Sequence, residues 1–422
     1  MEVVFDPNSG ENLSEALDLY DRECHRVRRL SLRGCGDEHV QRLVQIAEKR
    51  GTDVYLTSLD LSNSEPTTSS VLTPESCNSL EKLIQSSNET LQDFDLANKS
   101  VKVHGLDPTL EALMEARRLG RLNLSGNTLG NNNTTMRKLE TLLSEHPSLR
   151  EVRLGKTGLA KAGAYVISRA CKGNDRLRVL DLSDNKFNNS HIRVLAELLS
   201  QYSSFCQLQE LDLSGNERLN GVGAKHLQEA LNKNRHLTIL KLNHTSLGGE
   251  GGKALGTLLF KSDTLKELHV AGCRLGGQDG DVGLRAICQG PKDAIDKQMH
   301  VPALTYLDFS HNSLHPISGP YLAHILQCCT ALRVLKLRDN KLKDDGAVCL
   351  AEAIPLSESI RELDLRENHI GDDGAISLAK ALMGRRCNRD FQLYWQANFD
   401  MTEVGCSRIA GALQLRRSRA GW

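Results

Sequence analysis

The stretch LRVLKLRDNKLKDDGAVCLAEAI, residues 332–354, recurs 28 residues later as IRELDLRENHIGDDGAISLAKAL, residues 360–382. Both copies follow the template LxxLxLxxNxL, and each continues with Asp-Asp-Gly-Ala and apolar residues at helical spacing. A pattern that repeats at a period of roughly 20–50 residues predicts a solenoid, in which neighbouring repeats cover each other's apolar surface. The two stretches therefore predict the fold of the whole chain.

The same template can be followed through most of the sequence. When its first apolar position is taken as the anchor, thirteen repeats follow one another, mostly 28–31 residues apart. The first three repeats and the last one depart most from the template. The anchors are Val27, Leu56, Leu91, Leu119, Leu149, Leu177, Leu208, Leu237, Leu265, Leu304, Leu332, Ile360 and Phe391.

Each repeat predicts one strand and one helix. The Leu-x-Leu step has the period of two that is typical of a strand whose leucines face the core. The apolar residues that follow it, as in 347–354, recur at i, i+3, i+4 and i+7 and predict a helix with one apolar face. Asp345 and Asp373 stand near the start of two such helices, where an acidic side chain caps free N–H groups. We interpret them as helix caps and not as catalytic carboxylates.

The eighth position after the anchor carries asparagine in six repeats and threonine in two. We expect an asparagine at this position to bond backbone groups where the strand turns away, and a threonine to do part of the same work. Cys35 and Cys273 occupy the position in two other repeats, so we interpret them as structural. The asparagines are Asn127, Asn185, Asn216, Asn312, Asn340 and Asn368, and the threonines are Thr157 and Thr245.

Stacking of these repeats predicts an α/β horseshoe with a parallel sheet on its concave face and helices on its convex face. Strands lie roughly 4.8 Å apart whereas helices are roughly 10 Å wide, so the stack curves towards the strands. Residues 1–26 do not fit the template, and we predict an N-terminal helical cap in which Leu13, Leu17 and Tyr20 cover the first repeat. The repeat domain is predicted at 27–422, with residues 391–422 as a degenerate C-terminal cap.

The ninth repeat is longer than the others. The segment CQGPKDAIDKQMHVPA, which begins at Cys288, places roughly eleven extra residues before the next strand. We expect an insertion of this kind to project from the rim of the stack, where it either meets a partner or is a tolerated loop.

Composition excludes several classes of function. Fifty-three basic residues balance fifty-three acidic ones, so no overall charge favours binding to nucleic acid or to an acidic membrane. No apolar run is long enough to cross a bilayer, and the N-terminus lacks the pattern of a secretory signal. We expect a cytoplasmic protein, with a nuclear or cytoskeleton-associated setting also open, whose twelve cysteines are reduced.

No motif of an enzyme is present in the sequence. We find neither HExxH nor GxSxG, no phosphate-binding glycine loop followed by lysine, and no clustered Cys and His ligands. His244 and His269 could both approach the concave face of neighbouring repeats and there bind a metal or sense pH, but we favour the interpretation that they are hydrogen-bonded or solvated. We therefore predict no enzymatic activity, no cofactor, no metal and no small-molecule substrate.

The outward strand positions contain one stretch that solubility does not explain. Near the C-terminus, aromatic and aliphatic residues stand beside charged ones, as in the hot spots of protein interfaces. The alternative is that the final aromatic residues form a cap. A weaker candidate is the basic corner of Arg28, Arg29 and Arg33. The predicted partner site consists of Tyr306, Lys336, Arg338, Asp364, Arg366 and Trp395, with Val334 and Leu393 beside them.

The repeats of 28 or 29 residues that end in NxLGDDGAxxLAxAL resemble the ribonuclease-inhibitor-like subfamily of leucine-rich repeat proteins. The resemblance is most specific over residues 119–382, and it implies protein binding without naming a partner. We predict a non-enzymatic scaffold or adaptor for protein partners, within a multiprotein assembly of the cytoskeletal or ciliary kind. The alternative is a regulator of a small GTPase that resembles Ran GTPase-activating protein, although the basic C-terminus differs from the acidic tail of that family. The mixed charge of the concave face disfavours an inhibitor of a basic nuclease.

Overall fold

A computed structural model describes residues 1–5, 12–50, 54–64, 71–101, 105–130, 132–172, 174–199, 207–232, 234–277, 281–300, 303–384 and 390–419. Within these residues fourteen strands alternate with fourteen α-helices. The strands are β1 (Glu2–Phe5), β2 (Arg29–Leu32), β3 (Ser58–Asp60), β4 (Asp93–Asp95), β5 (Arg121–Asn123), β6 (Glu151–Arg153), β7 (Val179–Asp181), β8 (Glu210–Asp212), β9 (Ile239–Lys241), β10 (Glu267–His269), β11 (Tyr306–Asp308), β12 (Val334–Lys336), β13 (Glu362–Asp364) and β14 (Gln392–Tyr394). The helices are α1 (Leu13–Glu23), α2 (Asp37–Arg50), α3 (Pro74–Ser86), α4 (Asp107–Glu115), α5 (Asn133–Glu145), α6 (Ala160–Cys171), α7 (Asn189–Leu199), α8 (Gly221–Leu231), α9 (Gly248–Lys261), α10 (Val282–Asp296), α11 (Gly319–Cys328), α12 (Lys343–Ala353), α13 (Asp372–Met383) and α14 (Glu403–Arg419).

The chain forms two compact units. Unit 1 comprises Met1–Phe187 and Tyr202–Asp212, and unit 2 comprises Asn188–Gln201 and Leu213–Trp422. In unit 1, strands β1 to β8 pair in parallel in the order of the sequence. In unit 2, strands β9 to β14 do the same. The predicted α/β solenoid with a parallel sheet is confirmed in each unit.

The core of each unit lies between its strands and its helices. The middle residue of each short strand is buried, as Leu180 is in β7 and Leu335 is in β12, while its neighbours are more exposed. The helices bury the residues that the helical spacing selected, such as Leu350 of α12. The flanking strand residues lie on the opposite face of the sheet, which we call the open face.

The asparagines at the eighth position bond backbone groups at the turn, as predicted, and they also connect successive repeats. The Oδ1 atom of Asn312 accepts the backbone N–H groups of Cys273 and Leu275 at 2.9 and 3.1 Å. Its Nδ2 atom donates to the carbonyl oxygens of Val270 and Phe309 at 2.8 and 3.0 Å. One amide therefore satisfies backbone groups of two repeats in a buried position, where unpaired groups are costly.

The prediction that Asp345 and Asp373 cap their helices is wrong. Both side chains are exposed. The first aspartate of each acidic pair, and not the second, accepts the hydrogen bonds. Asp344 accepts the N–H groups of Gly371 and Gly374, each at 2.8 Å, and these belong to the start of helix α13 in the next repeat.

Asp372 makes the corresponding contact with helix α14. It accepts the N–H groups of Thr402 and Gly405 at 2.9 and 3.1 Å and the hydroxyl of Thr402 at 2.6 Å. The bond from the Thr402 hydroxyl, together with those N–H groups, lowers the pKa of Asp372. The acidic pair thus caps the following helix, because stacking of the repeats places the first acid beside it.

Residues 1–26 contain a strand in addition to the predicted helix. Val3 and Phe5 of β1 are buried, and β1 pairs with β2 from Glu2↔Arg29 to Phe5↔Leu32. Four residues are too few for their alternation to be recognised in the sequence. Helix α1 follows and buries Leu17 and Tyr20, so these residues add a complete strand and helix to unit 1. The division at residue 26 stays a prediction.

The insertion after Cys288 is not a projecting loop over most of its length. Helix α10 continues to Asp296 and includes Pro291, which is buried. A Cβ atom on Gly290 would lie 2.1 Å from the carbonyl oxygen of Gly256, so the two glycines allow α9 and α10 to approach closely. This packing outweighs the single helical hydrogen bond that the proline removes.

Candidate partner-binding surface

The open face of β11 to β14 brings most of the predicted site together. The register places Tyr306 beside Val334 and Asp308 beside Lys336. It then places Lys336 beside Asp364. We call the outward side chains of these four strands, together with Arg338 and Arg366 two residues beyond the ends of β12 and β13, the β11–β14 face. Residues that are far apart in the sequence meet here because parallel strands stack in register.

Tyr306 stands at the centre of a short aromatic and cationic stack. Its ring is stacked on the ring of His269, with centroids 4.4 Å apart and planes 26° apart. On the neighbouring strand β12, the ammonium of Lys336 lies 5.6 Å from the ring centroid of Tyr306, within the range of a cation–π contact. Partial burial, followed by nearby carboxylates such as Asp308, raises the pKa of Tyr306, so its hydroxyl stays protonated.

Lys336 and Arg338 are each held by an acid of the following repeat. The Lys336 ammonium lies 4.0 Å from Glu362. Arg338 binds Glu367 through Nε at 3.0 Å and through Nη2 at 2.5 Å. The two cations are thus held by neighbouring acids, and their side chains remain 34% and 42% exposed.

Asp364 does not present a free carboxylate, which corrects the prediction for this residue. Its side chain is only 2% exposed and accepts bonds from Arg366 through Nε at 2.9 Å and Nη2 at 2.5 Å. The guanidinium of Arg366 lies above the ring of Tyr394, 5.4 Å from its centroid. Asp364 therefore orients Arg366, whose side chain remains 36% exposed.

The predicted placement of Leu393 and Trp395 on the outward positions of the last strand is wrong by one residue. The register pairs Leu363 with Leu393, and Leu393 is 5% exposed in the core. Tyr394 pairs with Asp364 and takes the outward position. Trp395 follows at the position that corresponds to Leu365 and is half-buried.

Tyr394 is thus the functional candidate that the sequence reasoning missed. The signal that would have found it is Asn398, whose amide accepts the N–H of Asn368 at 2.8 Å and repeats the asparagine position at a spacing of thirty residues. Counting back from Asn398, and not forward from Phe391, gives the observed register.

The basic corner of unit 1 is largely engaged with its own repeats. The guanidinium of Arg28 lies 5.1 Å from the ring centroid of Tyr55. Arg33 donates to Asp60 at 2.7 Å. Arg29 is exposed on β2. These contacts account for Arg28 and Arg33.

Three histidines of unit 2 lie against other side chains of the sheet and its turns. The rings of His244 and His311 lie 6.4 Å apart, and His311 contacts Asp339 at 2.7 Å, whereas His269 stacks on Tyr306. In the described part of the chain, no group of three or more His, Cys, Asp or Glu side chains is arranged to hold a metal ion. Among the same residues no helix has the length and apolar character to cross a membrane.

Comparisons with known proteins relate the chain to one repeat family. Models described as Leucine Rich repeat match residues 176–198, 206–227, 233–256, 328–351 and 357–379. The NACHT, LRR and PYD domains-containing protein 5 of Homo sapiens is 27% identical over 303 residues, which cover 72% of this chain and 23% of that protein. The corresponding protein 14 of Mus musculus is 34% identical over 186 residues, covering 44% and 18%. The chain thus spans less than a quarter of the length of either relative.

Solved structures also match, among them an internalin and a tropomodulin domain. An internalin from Listeria monocytogenes has a TM-score of 0.47 at 13% identity, covering 97% of this chain and 94% of that one. The tropomodulin C-terminal domain of Caenorhabditis elegans has a TM-score of 0.32 at 14% identity, covering 40% and 95%.

The family assignment rests on the repeat models together with the strand, asparagine and helix that recur in every well-formed repeat. Regulation of a small GTPase, in the manner of Ran GTPase-activating protein, stays a prediction. With its repeated LxxLxLxxNxL template matched by these models and folded as parallel strands and helices, the chain is a leucine-rich repeat protein.

Proposed function

We propose that this protein is a non-enzymatic scaffold that binds a protein partner through the β11–β14 face. The observation that carries the proposal is the position of Tyr306, which is stacked on His269 and contacted by Lys336. An aromatic side chain held between neighbours is already in place for binding and loses little conformational freedom. Tyrosine and arginine are the residues that most often dominate the energy of an interface.

The charges around Tyr306 support the same use. Arg338 and Arg366 are tied to Glu367 and Asp364, yet their side chains are 42% and 36% exposed. Fixed and reachable guanidinium groups favour a partner that offers carboxylate or carbonyl oxygens in a defined geometry. The neighbouring acids suppress non-specific attraction, so shape and hydrogen bonding select the partner.

The repeat type of the protein, its compartment and its assembly belong to the same proposal. We infer that the repeats are of the ribonuclease-inhibitor-like type, since each joins one strand and one helix in about 28 residues. We place the protein in the cytoplasm, within a multiprotein assembly of the cytoskeletal or ciliary kind. The balance of fifty-three basic and fifty-three acidic residues supports protein partners over nucleic acid.

The test is affinity purification of the tagged full chain, followed by measurement of the dissociation constant for each partner recovered. Tyr306→Ala is expected to weaken binding about tenfold or more, as the loss of a central aromatic does in other interfaces. The matched control is Tyr321→Ala, because Tyr321 lies on helix α11 with Arg285 5.5 Å from its ring centroid. Tyr321→Ala removes a cation–π contact of the same kind from the face of the repeats that carries the helices.

Thermal unfolding of both variants shows whether the fold survives. If Tyr306→Ala and Tyr321→Ala weaken every interaction equally, or neither weakens any, the β11–β14 face is not the binding surface.

A further inference from the structure

One position of the asparagine series holds a buried lysine. Lys99 is the eighth residue after the anchor Leu91, where most repeats place asparagine or threonine. Its side chain is 0% exposed and reaches across two repeats of unit 1. The Nζ atom donates to the carbonyl oxygen of Cys35 and to Oδ1 of Asn63, the latter at 2.7 Å. It also lies 3.4 Å from the Sγ atom of Cys35.

This environment is unusual for a lysine because its hydrogen-bond partners are all uncharged. Burying an ammonium without a carboxylate partner is costly, and burial lowers the pKa of Lys99. Burial also raises the pKa of the Cys35 thiol, although Lys99 acts in the opposite direction. Burial thus acts on both groups in the direction of their neutral forms, an amine beside a thiol.

The fold itself does not require this pairing. Cys273 occupies the same position of a repeat in unit 2 and is also 0% exposed. Its Sγ atom lies 3.0 Å from the carbonyl oxygen of Leu242 and 3.4 Å from the hydroxyl of Thr245. A cysteine at this position is therefore accommodated by a carbonyl and a hydroxyl. The amine beside Cys35 adds a chemical possibility that Cys273 lacks.

We propose that Cys35 and Lys99 form an oxidative modification site, at which peroxide joins Sγ and Nζ through one bridging oxygen atom. One hydrogen peroxide first oxidises the thiol: its O–O bond breaks, an S–O bond forms, and water leaves. A second peroxide oxidises the resulting sulfenic acid and the amine together. An O–N bond forms as one O–H and one N–H bond break, and two waters leave. Sulfur and nitrogen each lose two electrons, which reduce the two peroxides.

The oxygen-bridged product fits the packed interior better than a direct bond. Sulfur and nitrogen lie further apart across a bridging oxygen than in a direct S–N bond, so starting from 3.4 Å the bridge needs the smaller movement. A bridge would join the first and third repeats and close a loop of 64 residues in the unfolded chain, which stabilises the folded state. Two equivalents of a dithiol reverse the reaction, and they return the thiol, the amine and one water.

The experiment treats the full chain with hydrogen peroxide and locates the products by digestion and mass spectrometry. The expected product is a linked pair of peptides that contain Cys35 and Lys99, with one oxygen gained and two hydrogens lost. A dithiol should remove the link, and the linked protein should unfold at a higher Tm. Cys273 in the same sample is the internal control and should form no link to a lysine.

Two variants separate the chemistry from the fold. Lys99→Asn restores the residue that other repeats use, and Cys35→Ser keeps the lysine; neither should form the link. A Cys35 that is oxidised while Lys99 stays free, a direct S–N bond, an unreacted pair, or an equal lysine link at Cys273 would each overturn the proposal.

Discussion

At the scale of single residues, the asparagine position contributes more to the structure than its short side chain suggests. Asn312 bonds backbone groups on both sides of a turn and in two repeats, all of them buried. Thr157 performs part of this work, since its hydroxyl donates to the carbonyl of Leu154 at 2.6 Å. Its own N–H group donates to Oδ1 of Asn185 at 3.2 Å, as the N–H of Asn312 does to Asn340 at 3.1 Å. Each repeat thus depends on the side chain of the next.

The first prediction follows from Asn312. Asn312→Ala leaves the N–H groups of Cys273 and Leu275 without their acceptor, and we expect the free energy of unfolding to fall by about 3 kcal/mol. Urea unfolding followed by circular dichroism measures the change. The control is Asn232→Ala, because Asn232 bonds only the side chain of Gln228 near the surface of α8 in addition to its capping backbone bond. Equal losses for the two variants would show that the asparagine position has no special role.

At the scale of helices and strands, several repeats supply a cap for the helix that follows in the next repeat. Asp344 and Asp372 do so for α13 and α14. Asn189 does so at α8, accepting the N–H groups of Asn220 and Gly223, each at 3.1 Å. Asp281 does so near α11, where it accepts the N–H of His315 at 2.6 Å and the hydroxyl of Ser318 at 2.5 Å. Caps that cross from one repeat to the next couple the stability of neighbours.

The second prediction uses the two adjacent acids of α12. Asp344→Ala removes the acceptor of two N–H groups at the start of α13, and we expect a loss of about 1 kcal/mol in the free energy of unfolding. Asp345→Ala changes the same charge at an exposed position and should alter the free energy by a few tenths of a kcal/mol at most. Denaturant titrations at neutral pH compare them. A larger loss of free energy of unfolding for Asp345→Ala than for Asp344→Ala would show that Asp345 is the helix cap, as the sequence predicts.

At the scale of the whole molecule, the chain consists of two units whose repeats each pack on sequence neighbours. Such stacks have no single central core, so their ends need protection. In unit 1 the first strand and helix, β1 and α1, occupy the position before the first template repeat. Leu17 and Tyr20 of α1 are 0% exposed, which indicates that this segment is part of the packed stack.

The third prediction tests the segment 1–26 as a cap. Leu17→Ala removes a fully buried side chain, and we expect unit 1 to lose about 3 kcal/mol of stability and to expose apolar surface that binds a hydrophobic dye. The control is Leu19→Ala on the same helix, where the side chain is 36% exposed. If Leu17→Ala left both the unfolding curve and dye binding unchanged, residues 1–26 would not act as a cap.

The β11–β14 face shows how far sequence reasoning reaches at a candidate site. Tyr306 and Lys336 could be placed together in advance, because the strand period and the 28-residue offset between repeats fix their register. Asp364 could not be evaluated in the same way. Asp364 is buried because Arg366 folds back over it. The position of Arg366 depends in turn on the ring of Tyr394, and the predicted register of that last strand was wrong by one residue.

The sequence by itself determined the repeat, its strand and helix, and the role of the asparagine position, because these depend on short periodic patterns within one repeat. The tertiary structure alone decided which acid caps which helix, as at Asp344 and Asp345, and why α10 continues through Pro291. It also decided that Lys99 meets Cys35. Each of these outcomes depends on contacts between repeats, where a movement of one or two ångströms changes the partner. The identity of a residue does not carry that information.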